Sequence, residues 1–121
     1  PLWEKEALGD KMFLTTGYLY YTTDMQNYTQ IDLPGDATAF DMIAYNGRMY
    51  ILSSYKSGTG YRIQVHSVAS AKPTTLREEV SFTYKQMPTA MTMDGDNFFI
   101  AIGNWYDTGA AENGTILQFK R

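Results

Sequence analysis

The chain contains no cysteine and a single histidine, His66, in 121 residues. Without thiols there is no disulfide framework and no thiolate metal site. One imidazole supplies no histidine ligand set, so no transition-metal spacing is present and no cofactor is expected. No Gly-x-Ser-x-Gly elbow occurs, so nucleophilic hydrolase chemistry lacks its parts. No apolar run approaches the ~18–20 residues of a membrane-spanning helix. No signal-peptide pattern is seen, and the opening at Pro1 fits removal of an initiator Met or a longer leader. Lys and Arg number 10 against 13 Asp and Glu, and they form no run. That balance excludes the basic footprint of a nucleic-acid binder.

What is present points to strands. Apolar residues make up 44% of the chain and charged residues 19%, which separates it from disordered sequences. Ten Tyr and six Phe accompany many Thr, Ile and Met. Aromatic and β-branched side chains suit a pleated, half-buried surface. Glycines fall between the apolar runs. The expected class is all-β, in one domain spanning 1–121.

Three segments resemble one another: Gly9-Asp10-Lys11-Met12-Phe13-Leu14, Gly47-Arg48-Met49-Tyr50-Ile51-Leu52 and Gly95-Asp96-Asn97-Phe98-Phe99-Ile100. Each is a glycine, a polar step and a short apolar strand. Self-similarity at roughly 40–50 residues marks propellers and solenoids, whose units cannot bury both faces alone. The repeat units run over about 1–35, 36–86 and 87–121.

The second unit reads as a four-stranded meander. Ala39–Tyr45 is followed by the Asn46-Gly47 hairpin signal and a return strand Arg48–Ser54. Tyr61–Val68 alternates, with Arg62, Gln64 and His66 on a polar face where His66 is a solvated surface residue. A polar stretch around Lys72-Pro73 precedes a fourth strand marked by Val80, Phe82 and Tyr84. The third unit repeats the pattern with a turn at Asp94-Gly95, a strand Asn97–Gly103, a loop Asn104–Asn113 and a strand Gly114–Lys120. Asp94-Gly95-Asp96-Asn97 reads as turn chemistry and not as a calcium loop, which spreads its ligands over about 12 residues. In the first unit, Leu2–Leu8 reads equally well as a strand or a short helix. Strands Tyr18–Thr22 and Tyr28–Leu33 follow.

The second strand of each unit is apolar on both faces, as in Met49-Tyr50-Ile51-Leu52. Sheets with a wet face alternate instead. Face-to-face stacking around an axis supplies the cover, and the third strands, nearer a rim, alternate more. The alternative is a two-sheet sandwich.

The segment Thr22-Thr23-Asp24-Met25-Gln26-Asn27-Tyr28 resembles the Asp-box, or BNR, repeat of sialidase-like β-propellers, Ser/Thr-x-Asp-Gly-x-x-Trp. Thr22 and Asp24 match, Tyr28 stands for the Trp, and Met25 replaces the usual glycine. The resemblance implies a hairpin between a blade's third and fourth strands, with hydroxyl and carboxylate bonding turn backbone and the aromatic packed beneath. It is one motif only; residues Val68–Glu79 stand where a second box would fall. The resulting expectation is a partial propeller of about 2.7 blades, against the usual 4–8 of a closed ring. It is completed either by further sequence or by self-association, two chains forming a ring of about five or six blades.

Catalytic residues are not assigned. A sialidase-like site needs an arginine cluster, and Arg48, Arg62, Arg77 and Arg121 sit at dissimilar strand positions. Paired carboxylates for a glycoside hydrolase are drawn from Asp36, Asp41, Asp107 and Glu112. For binding, the loops after strands two and four share one end, gathering Asp36, Tyr55, Lys56, Asn104, Trp105, Tyr106 and Asp107. Exposed aromatics beside amides and carboxylates suit a glycan or a protein hot spot. The sequence-level function is therefore a non-enzymatic module for recognition or assembly. The alternatives are a glycoside hydrolase fragment and a structural virion or tail component. By analogy the setting is exported or virion-associated before cytoplasmic.

Overall fold

The computed structural model describes residues 2–103 and 115–120. It is an all-β structure of three antiparallel sheets formed in chain order. The first holds β1 (Glu4–Leu8), β2 (Lys11–Thr15), β3 (Leu19–Thr22) and β4 (Thr29–Ile31). The second holds β5 (Thr38–Tyr45), β6 (Arg48–Ser57), β7 (Gly60–Ala69) and β8 (Lys72–Tyr84). The third holds β9 (Pro88–Asp94), β10 (Asn97–Ile102) and β11 (Thr115–Lys120). Within each sheet every strand pairs with its neighbour in sequence, which makes three meanders. The opening segment is thus a strand: Glu4, Glu6 and Leu8 alternate with Lys5 and Ala7 across β1, a period-two pattern.

The hairpins are set by turn chemistry. Leu8 pairs with Lys11, Tyr45 with Arg48 and Asp94 with Asn97, so each inner hairpin has a two-residue turn. Asn46 and Gly47 both take positive φ, 47° and 78°, the backbone that matches strand twist. The third turn is Gly95-Asp96, one residue later than the sequence signal places it.

The second sheet lies between the other two. Towards the first sheet, Ala39, Met42, Met49, Ile51 and Val68 pack on Phe13, Leu19 and Ile31. Towards the third sheet, Tyr50, Leu52, Ile63 and Val65 pack on Met91, Phe98, Ile100 and Ile102. Tyr50 and Phe98 place their rings 5.7 Å apart, and Phe82 stacks on Phe119 at 4.5 Å. Full burial of an aromatic of this size contributes on the order of 1.5–3 kcal/mol. Strand β6 is buried continuously from Met49 to Ser54 because both its faces are covered. Strand β10 instead alternates, burying Phe98, Ile100 and Ile102 while Phe99 and Ala101 turn to an open side.

Three expectations are corrected. Strand β7 does not alternate as a rim strand would; it is buried from Ile63 to Val68. The alternation of side chains is present, but the polar side faces the first sheet and not solvent. His66 is accordingly 3% exposed, not a surface histidine. Residues 72–79 are no polar connection, since β8 begins at Lys72 and forms a long hairpin with β7 across a Ser70-Ala71 turn.

Candidate functional site

Of the loop end gathered from the sequence, the described residues place Asp36, Tyr55 and Lys56. The connection Pro34–Asp36 is a 3-10 turn, with Gly35 and Asp36 at positive φ. The Tyr55 ring lies on Gly35 so closely that a Cβ there would stand 2.5 Å from ring carbons. Gln64 Nε2 reaches over to donate to Pro34 O at 2.9 Å and to Ser53 Oγ at 3.0 Å. Lys56 Nζ sits 4.9 Å from the centre of the Tyr61 ring, a cation–π contact. Tyr55 is therefore a half-buried prop for the linker, while Asp36 is exposed beside it. Asp36 borders a cleft of about 340 Å³ with Tyr18, Asp32 and Leu33. Asn104, Trp105, Tyr106 and Asp107, the richest part of the expected site, lie outside the described residues.

The Thr22–Tyr28 segment closes the β3–β4 hairpin. Thr22 Oγ1 accepts from the Met25 amide at 3.0 Å and the Asp24 amide at 3.3 Å. Its proton is directed at Asn27 O, 2.7 Å away, with Asp24 Oδ1 at 3.1 Å. Asp24 Oδ1 accepts from the Gln26 and Asn27 amides at 2.9 and 2.8 Å, and Oδ2 from Asn27 Nδ2 at 2.8 Å. The Asn27 and Gln26 amides hold the Asp24 carboxyl well below the usual carboxylate range. Met25 takes φ 59°, the left-handed conformation usually given to glycine. Tyr28 reaches back to the turn with half of its surface exposed. Its hydroxyl donates to Met25 O at 3.0 Å.

Two polar clusters were not visible in the sequence. On the second sheet, Arg48 Nε donates to Ser67 Oγ at 2.9 Å and its Nη2 to Ser67 O at 3.2 Å. Glu79 Oε2 accepts from Ser67 Oγ and from Arg77 Nε, both at 2.6 Å. Burial acts to raise the Glu79 carboxyl, but these bonds and the Arg77 and Arg48 charges outweigh it and lower it. The two arginines thus converge, yet they are engaged by a carboxylate of the same sheet. At the first strands, Asp41 Oδ1 accepts from the Met42 amide and Oδ2 from the Met91 amide of the third sheet, each at 2.9 Å. Glu4 lies against Asp41, and its carboxyl is pushed up to about 8, first by burial and then by that neighbour. Among the described residues no group of three or more His, Asp and Glu side chains is placed to hold a metal ion.

The outer face of the first sheet carries an apolar patch, with the exposed Lys5 and Gln30 in the same cross-strand row. Leu2, Leu14, Thr16, Tyr20 and Tyr28 line a shallow cavity of about 380 Å³. Leu2 is 52% exposed there and Tyr28 49%. Across the molecule, Ile116 of β11 is 63% exposed. No family model, curated protein or solved structure matches the chain.

Proposed function

We propose that this chain is a non-enzymatic propeller-type module that works by assembly, stacking its open sheet faces on those of a second copy. The carrying observation is the apolar patch on the outer face of the first sheet, where Leu2, Tyr20 and Tyr28 surround a cavity of about 380 Å³. Large exposed apolar patches on a folded protein mark interaction surfaces. The arrangement of the sheets supports the same reading. The first strands β1, β5 and β9 adjoin in sequence, and each sheet stacks face to face on the next, as blades do around a propeller axis. The two outer faces belong to different sheets, one of four strands and one of three. Such unlike faces join head to tail and generate rings when the rotation closes.

Sedimentation velocity over a range of protein concentrations tests this. The native chain is expected to sediment as a concentration-dependent oligomer. Tyr20→Glu, which puts a charge in the middle of the apolar patch, is expected to shift it to the monomer without changing the far-ultraviolet dichroism. A native chain that stays monomeric at all concentrations removes the proposal.

A further inference from the structure

The outer edges of the three sheets are unequally guarded. The first strands β1, β5 and β9 adjoin one another, so the outer edges are β4, β8 and β11. A bare edge is a template for another strand, and proteins blunt it with shortness, charge, proline or a bulge. Strand β4 has three residues. Strand β8 carries Lys72, Pro73, Arg77, Glu78 and Glu79, and its ladder with β7 shifts register twice. Strand β11 has no such protection: it runs six residues in unbroken register with β10, with one charge, Lys120, at its end.

The register fixes which backbone groups of β11 face outward. Asn97 closes the two-residue turn with Asp94, so its N–H points to β9. Bonding direction alternates along a strand, so Phe98 and Ile100 point to β11, where they meet Phe119 and Leu117. The N–H and C=O groups of Ile116, Gln118 and Lys120 therefore face away from β10. Among the described residues no strand pairs with them.

The space beyond this edge is one strand wide. The second and third sheets stack from a common inner margin, β5 against β9, with four strands over three. That leaves a step of about 4.8 Å, one strand spacing, past β11. The rim beside it is apolar. Leu117 and Phe119 lie on the packed side of β11, and Val80 and Phe82 on that of β8. All four are only half-buried, whereas Phe98 and Ile100 further in are fully buried. Phe82 stacks on Phe119 at this margin. Lys120 is exposed on the other side of β11, away from the core.

We propose that the β11 edge is a docking site for an extended segment of a partner protein, which adds as an antiparallel fourth strand of the third sheet. Main-chain bonds to Ile116, Gln118 and Lys120 hold the segment. Its side chains opposite Leu117 and Phe119 are apolar and complete the rim, and the one opposite Lys120 is acidic. Read from its N-terminus, the segment is acidic, apolar, polar, apolar. The step admits one strand, which favours a single extended segment over a second folded sheet. This site does not depend on the stacking of sheet faces proposed above.

The capped peptide Glu-Val-Thr-Val-Thr-Val is the probe, read by NMR on the native chain. Without peptide, the amides of Ile116, Gln118 and Lys120 are expected to exchange quickly and those of Leu117 and Phe119 slowly. Saturating peptide is expected to slow the first three at least about tenfold and to shift Val80 and Phe82. Replacing the peptide's Glu by Lys is expected to weaken binding about two- to fivefold, and Lys120→Glu to reverse that preference. Gln118→Pro removes an outward N–H and no bond to β10, so it is expected to abolish binding while exchange in β10 is unchanged. The charge reversal decides the matter even if Gln118→Pro does not fold. Tyr20→Glu, with face-to-face association removed, is expected to bind the peptide as the native chain does. Three outcomes overturn the proposal: edge amides protected without peptide, protection in Tyr20→Glu that grows with protein concentration and so assigns the edge to a second copy, or no peptide-induced change at β11.

Discussion

At the scale of single residues, Thr22 and Asp24 carry the turn between β3 and β4 in equal measure, and Thr22 is the buried one of the two. Its one hydroxyl ties together the Asp24 and Met25 amides and Asn27 O. Thr22→Val keeps the shape and removes the oxygen, leaving those backbone groups short of a partner. A loss of about 1–3 kcal/mol is expected, read as a lower urea midpoint with unchanged slope. The pairing of Thr22 with Asp24 was legible in the sequence because side chain and turn lie within a few residues of each other. The burial of His66 was not. Alternation correctly puts His66 on the side of Gln64, but only the arrival of the first sheet decides whether that side is wet. The convergence of Arg48 on Arg77 was hidden for a related reason. It depends on the β7–β8 register, which bulges near His66 and Ser67.

At the scale of elements, the glycine that opens each apolar strand proved an unequal landmark. In the first and third units it is the first residue of the two-residue turn, Gly9-Asp10 and Gly95-Asp96. In the second it is the last, Asn46-Gly47. Superimposing the glycines therefore shifts the second unit by one place, which turns every side chain to the wrong face. The linker between the first and second sheets shows a constraint of another kind. Gly35 has φ 74° and lies under the Tyr55 ring. Gly35→Ala must both strain the backbone and displace the ring, so a loss of about 1–3 kcal/mol is expected. Gly47→Ala meets nothing within 4 Å and carries only the backbone strain. Comparing the two melting temperatures isolates the contact with Tyr55, with Gly35→Ala the lower.

At the scale of the whole molecule, the all-β class and the succession of meanders were legible because they rest on local pairing. Which faces are covered was only half legible. The continuous burial of Met49–Ser54 follows from two covering sheets, whereas among the described residues the apolar run of β10 has cover on one side alone. The apolar side chains left over are those on which the stacking proposal rests. The loop-end aromatics Trp105 and Tyr106 belong to the long connection between two strands of the third unit, where a repeat pattern has no predictive hold.

Strand β6 faces both cores, with Ile51 in one and Leu52 in the other. Its consequence is kinetic. The two end sheets bury their apolar sides only against the middle one, so neither has a packed surface until the middle meander exists. Among the described residues all strand pairings are between sequence neighbours, which keeps loop-closure costs low and folding fast for an all-β chain. The middle hairpin is thus the natural nucleus, and the end sheets the parts that open first. In stopped-flow experiments, Ile51→Ala and Leu52→Ala are each expected to slow refolding several-fold, whereas Phe13→Ala and Phe98→Ala act mainly by speeding unfolding. Growth then runs outward in both directions from one central hairpin, and not from one end of the chain to the other.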